Sequence, residues 1–280
     1  MSERISPKRV LPYIVLCLGL VACSGRNANA LPTPTSVPPT PTSTPAPNVQ
    51  MRGYDIPWPQ CNQQPRLPDS ASVAIIGLSG TLANNFNPCF KAQMGQAKQL
   101  IMSKDNISVY VNTANPGSEP GISDWPKSGE TPYGTCDGRD TAACAYEYGR
   151  ERAAADFQYL QENAPNYTGT VYLDAETDYS WETNVANNRA DLEGMVDDFR
   201  HHNLRTGVYS TDSQWAQIAG DVPARSSLHD LPVWVAGAGS VGEARNICQG
   251  PSFTGGEIDL VQIPGINGQI DADVLCRSTA

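Results

Sequence analysis

Residues 73–78 read Val73-Ala74-Ile75-Ile76-Gly77-Leu78, six positions without one polar side chain. A strand with one face in water alternates apolar and polar residues; a strand buried on both faces does not. Such a run needs cover above and below, and helices supply it when the strands lie parallel and are joined by crossovers. Runs rich in β-formers predict strands at Gly53–Trp58, Val73–Ser79, Ile107–Thr113, Thr170–Thr177, Thr206–Ser210, Pro232–Ala236 and Glu257–Ile263, with a short last one near Ile270–Asp273. Helical spacing lies between them at Phe90–Met102, Ala143–Asn163 and Asn188–Asn203, where Leu192, Met195, Val196 and Phe199 share a face, and over a short Ser213–Ala219. Five βα units followed by a strand-rich end predict an α/β fold: a (β/α) barrel with reduced helices after the fifth strand. A doubly wound open sheet is the other arrangement that fits.

The N-terminus is of another kind. Arg4, Lys8 and Arg9 precede an apolar stretch, Val10–Val21, too short to span a membrane as a mature helix. That pattern reads as a secretion signal. It ends in Leu20-Val21-Ala22-Cys23, which resembles the bacterial lipobox. The resemblance implies diacylglycerol on the Cys23 thiol and cleavage after Ala22; an ordinary signal peptide with Cys23 incidental is the alternative. Several acyl groups on one cysteine hold far better than a single chain. Pro and Thr dominate from about Arg26 to Gln50, a composition that favours extended backbone and acts as a semi-rigid spacer of ~3 Å per residue. The expected organisation is a signal peptide over 1–22, a lipidated Cys23 and linker over 23–50, and one globular domain over 51–280.

Charge and cysteines narrow the setting. The chain has 29 acidic against 19 basic residues, and the basic ones do not cluster after the signal. Nucleic acid and electrostatic membrane binding are therefore not expected. Beyond the signal and Cys23 stand Cys61, Cys89, Cys136, Cys144, Cys248 and Cys276. An even count outside the cytoplasm reads as three disulfides, with neighbours in sequence (61–89, 136–144, 248–276) the favoured pairing among 15. The spacings do not suit zinc, so no metal is expected. Gly237-Ala238-Gly239-Ser240-Val241-Gly242 has the dinucleotide-binding spacing, but it comes late, with no clear βαβ unit after it. No cofactor is expected either.

The sharpest chemical signal is Thr170-Val171-Tyr172-Leu173-Asp174-Ala175-Glu176. Residues i and i+2 of a strand face the same way, so Asp174 and Glu176 project together with Cα atoms about 6.6 Å apart. They stand at the C-terminal end of a strand, where barrel active sites are built. Two carboxylates this close repel when both are ionised, so one keeps its proton longer. Glycoside hydrolysis uses such an acid beside a base; a solvated strand end is the plain alternative. Asp55 on the first strand and Asp271 or Asp273 on the last repeat the pattern, and closing the barrel would bring them to the same opening. Trp58 and Trp181, each just past a carboxylate-bearing strand, are candidate sugar platforms, whereas Trp234 sits inside a strand and reads as core. The long loop Asn115–Cys144 is expected to shape the pocket.

Gly53-Tyr54-Asp55-Ile56, Tyr172-Leu173-Asp174-Ala175-Glu176, Gly207-Val208-Tyr209-Ser210-Thr211, Val233-Trp234-Val235-Ala236 and Val261-Gln262-Ile263 come in the order found in family 25 glycoside hydrolases, the lysozyme-type muramidases. Ala145-Tyr146-Glu147-Tyr148-Gly149 and Asn188-Arg189-Ala190-Asp191-Leu192-Glu193-Gly194-Met195 add a resemblance to a glycoside-hydrolase-like domain of exported actinobacterial-type proteins. The resemblance covers residues 52–277. It implies a modified TIM barrel with a carboxylate-lined pocket, with Glu176 the general acid, Asp174 its partner, and Asp55 and Asp271 completing the set. Asn112, Tyr172, Tyr209 and Gln262, in the matching strands, are then implied to meet substrate. One departure is plain: the muramidase Trp-Gln-Tyr is Val261-Gln262-Ile263 here. The expected activity is carboxylate acid/base chemistry on cell-wall or other envelope polysaccharide. The expected alternative is a non-catalytic glycan-binding or structural envelope lipoprotein. In either case a monomer tethered through Cys23 on the extracytoplasmic face is expected.

Overall fold

A computed structural model describes residues 52–56, 61, 66–80, 85–119, 122, 124–265 and 270–276, all within the unit Val49–Ala280. In chain order it contains β1 (Arg52–Ile56), β2 (Val73–Ser79), α1 (Phe90–Leu100), β3 (Ile107–Asn112), β4 (Gly129–Thr131), β5 (Gly134–Cys136) and α2 (Ala142–Asn163). Then follow β6 (Thr170–Asp174), α3 (Val185–His201), β7 (Arg205–Ser210), α4 (Asp212–Ile218), β8 (Val233–Val235), α5 (Val241–Ile247), β9 (Ile258–Ile263) and β10 (Asp271–Leu275).

Eight of the strands close into a barrel in the order β1-β10-β9-β8-β7-β6-β3-β2. Six neighbouring pairs are parallel; β10 runs antiparallel to both β1 and β9. The fold is thus α/β with a closed, modified TIM barrel, and the open-sheet arrangement is excluded. The helices after the fifth barrel strand are indeed short: α4 and α5 have 7 residues each, against 22 in α2 and 17 in α3.

Every residue of β2, β3 and β6 is buried, as the unbroken apolar runs require. Ala74, Ile76, Leu78, Val109, Val111, Val171 and Leu173 face outward and pack under the helices with Phe90, Met94, Leu160, Leu192 and Phe199. The alternate residues Val73, Ile75, Tyr110, Tyr172, Tyr209, Trp234 and Leu260 fill the lumen. Gly77 and Gly207 make space for two of these rings: a Cβ at either would lie 2.7 Å from the ring of Tyr110 or Tyr172.

Helices α2 and α3 approach very closely. A Cβ on Gly149 would stand 1.9 Å from the carbonyl oxygen of Asp191, and one on Gly194 would stand 2.1 Å from that of Tyr146. The two glycines thus let each backbone rest on the other. The three disulfides join Cys61–Cys89, Cys136–Cys144 and Cys248–Cys276, pairing neighbours as expected. The two with a separation of 28 residues each remove about 3–4 kcal/mol of chain entropy from the unfolded state.

Three expectations change. The 115–144 loop carries the hairpin β4–β5 and packs Trp125 and Cys136 against Ala143, Tyr146 and Tyr148 of α2, so it braces that helix. The segment after Gly237 does lie in a βαβ unit, β8-α5-β9. However, Glu243 accepts from Gly239 N at 2.9 Å and Ser240 caps the helix, so the chain's own side chains satisfy that turn. Strand β6 ends at Asp174, so Glu176 stands in the loop beyond it.

Replacing Gly149 or Gly194 with Ala should lower unfolding free energy by about 1–3 kcal/mol through forced separation of α2 and α3. Denaturant midpoints measure this. An unchanged midpoint for both variants would rule out the tight crossing.

Candidate active site

Strand register builds the site at the C-terminal end of the barrel. Asp55 pairs directly with Asp271 across β1 and β10. On the opposite wall Asn112 pairs with Asp174, Asp174 with Tyr209, and Tyr209 with Trp234. A cavity of ≈ 220 Å³ opens between the two groups, and Asp55, Asp174, Glu176 and Asp271 all line it. Asn112, Tyr209 and Gln262 line it as well.

Polar contacts fix these side chains. Asn112 Nδ2 donates to Asp174 Oδ2 at 2.8 Å, and Tyr179 Oη donates to the same oxygen at 3.4 Å. Tyr209 Oη donates to Gln262 Oε1 at 2.8 Å, and Gln262 Nε2 donates to Asp55 Oδ2 at 3.1 Å. One row of bonds thus crosses from β7 through β9 to β1. Beneath it, Trp234 Nε1 donates to Asp273 Oδ1 at 2.7 Å. Asp273 is therefore part of the floor support, and Asp271 is the last-strand acid at the cavity.

The loop after β6 is pinned at both ends. Ser210 Oγ donates to the carbonyl of Ala175 at 2.7 Å, and Trp181 Nε1 donates to that of Glu176 at 2.8 Å. Further along, Asn188 Oδ1 accepts from Glu182 N and Asn115 Nδ2, while Asn188 Nδ2 donates to Glu182 O. Glu176 is half-buried on this braced loop.

Burial and mutual repulsion shift the acids. Asp55, 2 % exposed, is pushed up to about 7, chiefly by burial and then by the charge of Asp271, with Gln262 opposing the shift. Asp174 is raised well above the usual carboxylate range by burial and then by Glu176. Glu176 is raised by burial and by Asp178. Asp273 is raised by burial and by Asp55. Asp55 can thus hold a proton near neutrality, and the upward shifts of the other acids favour their protonated forms until positive charge develops nearby.

Two implied binding residues stand elsewhere. Tyr172 lies deeper in the lumen, edge-on to Trp234, with its hydroxyl donating to Asp259 Oδ2 at 3.1 Å. Trp181 packs its ring against the outer core and reaches the site only through the backbone of Glu176. Trp58 and Cys23 lie outside the described residues. Tyr110, Tyr179 and Trp234 line the cavity without having been singled out for it. Trp234 is 2 % exposed and does belong to the core, yet that core includes the cavity floor. Lumen parity would have found Tyr110, two residues before Asn112; nothing local marks Tyr179. None of the described residues of the 115–144 loop lines the cavity.

If Asp271 holds the proton on Asp55, Asp271→Asn should lower the Asp55 pKa from about 7, and Gln262→Leu should raise it. Carboxyl ¹³C titration by NMR reads both shifts. Movement in the opposite sense for either variant would refute this account of the pair.

Residues 143–249, from α2 to just past α5, match the family model described as lysozyme-like protein 1. No curated protein sequence matches the chain. The bacterial lysozyme from Streptomyces coelicolor has a similar structure, with 15 % identity and a TM-score of 0.51 over 81 % of this chain and 93 % of that one. The Clostridium perfringens spore cortex lytic enzyme SleM shares 15 % identity at a TM-score of 0.52, covering 80 % of this chain and 66 % of that one. The modular autolysin LytC from Streptococcus pneumoniae shares 14 % at 0.50; 80 % of this chain aligns with 46 % of that protein. The chain therefore has the barrel fold of these lysozyme-type structures, and its residues 143–249 match the lysozyme-like model.

Proposed function

We propose that this domain cleaves cell-wall or other envelope polysaccharide by carboxylate acid/base chemistry. The observation that carries the reading is the convergence of Asp55, Asp174, Glu176 and Asp271 on one open cavity. Glu176, half-buried and raised above the usual range, is the proton donor to the leaving glycosidic oxygen. As that bond breaks the sugar gains positive charge, and the neighbouring carboxylates stabilise it. Asp174 takes the nearest part of this work because Asn112 and Tyr179 hold its Oδ2 in place. LytC, whose fold is similar, has been solved in complex with a synthetic peptidoglycan ligand.

Setting supports the same substrate. Three disulfides suit an oxidising compartment outside the cytoplasm. No described helix is long and apolar enough to cross a membrane. We infer that Cys23 carries the lipid anchor and that the Pro/Thr segment spaces the domain from the membrane. A tethered domain suits an insoluble polymer better than a diffusing metabolite.

A binding-only role is favoured by one specific feature. Val261 and Ile263 flank Gln262 where the muramidases carry two aromatics that could stack on sugar. The two readings part on a single variant. Glu176→Gln should cut release of reducing ends from purified cell walls by at least about a hundredfold. Equal release by variant and wild type would remove Glu176 as the acid. Tight binding of wall fragments with no turnover by the wild type would select the binding-only role.

A further inference from the structure

The cavity's charge is one-sided. Of the residues described around it, four are carboxylic acids and none is Lys, Arg or His. Asp273 adds a fifth acid just beneath, bonded to the Trp234 ring that forms the floor. The shifts of Asp55, Asp174 and Asp273 all run upward, each partly from another acid of the group. Each of these groups is short of positive charge. Asp174, 5 % exposed, has a second oxygen, Oδ1, without a hydrogen-bond partner. Around the acids stand the rings of Tyr110, Tyr179, Tyr209 and Trp234. Aromatic faces attract cations, and more strongly where water is excluded.

The space is small. The cavity volume is ≈ 220 Å³. A neutral N-acetylated sugar would fit but would bring no charge to match the acids. A sugar with a free carboxylate would instead oppose ionisation of the acids around it.

We propose that this cavity selects an amino sugar with a free ammonium group, as in a de-N-acetylated stretch of glycan. The proposal rests on reading the cavity as a glycan site and names the sugar it prefers. The ammonium donates up to three hydrogen bonds, and Asp174 Oδ1 has no donor of its own. Its charge favours the ionised form of Asp55, countering the repulsion that its pairing with Asp271 imposes in the free protein.

Isothermal titration of the full chain in mild detergent at pH 6 tests this with two probes of equal length. One is a glucosamine oligomer, the other an N-acetylglucosamine oligomer. The expected result is at least tenfold tighter binding of the glucosamine oligomer. Asp271→Asn should shrink that preference severalfold, while the exposed pair Glu130→Gln and Asp137→Asn should retain it. Equal affinity, or a preference for the N-acetylated oligomer, overturns the inference and leaves the glycan reading standing. Equal loss in the surface variant also overturns it, because the preference would then be general surface charge. Binding of neither oligomer removes the inference and the glycan reading together.

Discussion

The site depends on a single strand running against the rest. Strand β10 enters between β1 and β9 in the antiparallel sense and closes the barrel. Without it β1 and β9 would be free edges, and Asp55 would have no Asp271 opposite. Closure therefore sets two like charges across one rung of the ladder, an arrangement the carboxylates would not adopt on their own. Backbone pairing on both sides of β10 holds them there, and Gln262, on β9, donates to Asp55 and eases part of the repulsion. The Cys248–Cys276 bridge fastens the end of β10 to the end of α5. Closure and the electrostatics of the cavity are thus one feature seen at two scales.

The elements that needed cover on both faces were the easiest to read from the chain. Val73–Ser79 was placed to the residue, because its apolar run admits no other use. Boundaries slipped where the chain leaves the sheet but stays apolar or acidic, as at Asp174, after which Ala175 and Glu176 belong to a loop. The acids were legible for a simple reason: a carboxylate inside an apolar strand is costly unless it works or is paired. The aromatic partners were harder, since a ring in a barrel strand is buried whether it lines the cavity or lies below it. Tyr110 and Tyr172 are register partners on adjacent strands with the same local pattern, yet only Tyr110 reaches the cavity. Trp181 misled because its position beside the site serves its indole N–H, not its face. The hairpin β4–β5 was unreadable because its strands have three residues each and no alternation.

The motifs shared by α2 and α3 now have a physical meaning. Gly149 and Gly194 permit a crossing that places Asn188 against the loop after β6 and against Asn115. From there a chain of backbone and side-chain bonds runs to the carbonyl of Glu176. Helix packing outside the barrel therefore reaches the acid without any packed residue touching the cavity. The disulfide Cys136–Cys144 keeps the bracing loop against α2 and so belongs to the same support.

Strand direction carries a mechanical consequence. The chain enters the barrel at Arg52, at the end opposite the cavity, and runs along β1 to Asp55 at the mouth. A load applied at residue 52 against an object gripped at the mouth acts along the strands. The hydrogen bonds that β1 makes to β2 and β10 then resist in shear, sharing the force, instead of opening one after another. Pulled between its two ends, β1 would be held by both of its neighbours at once.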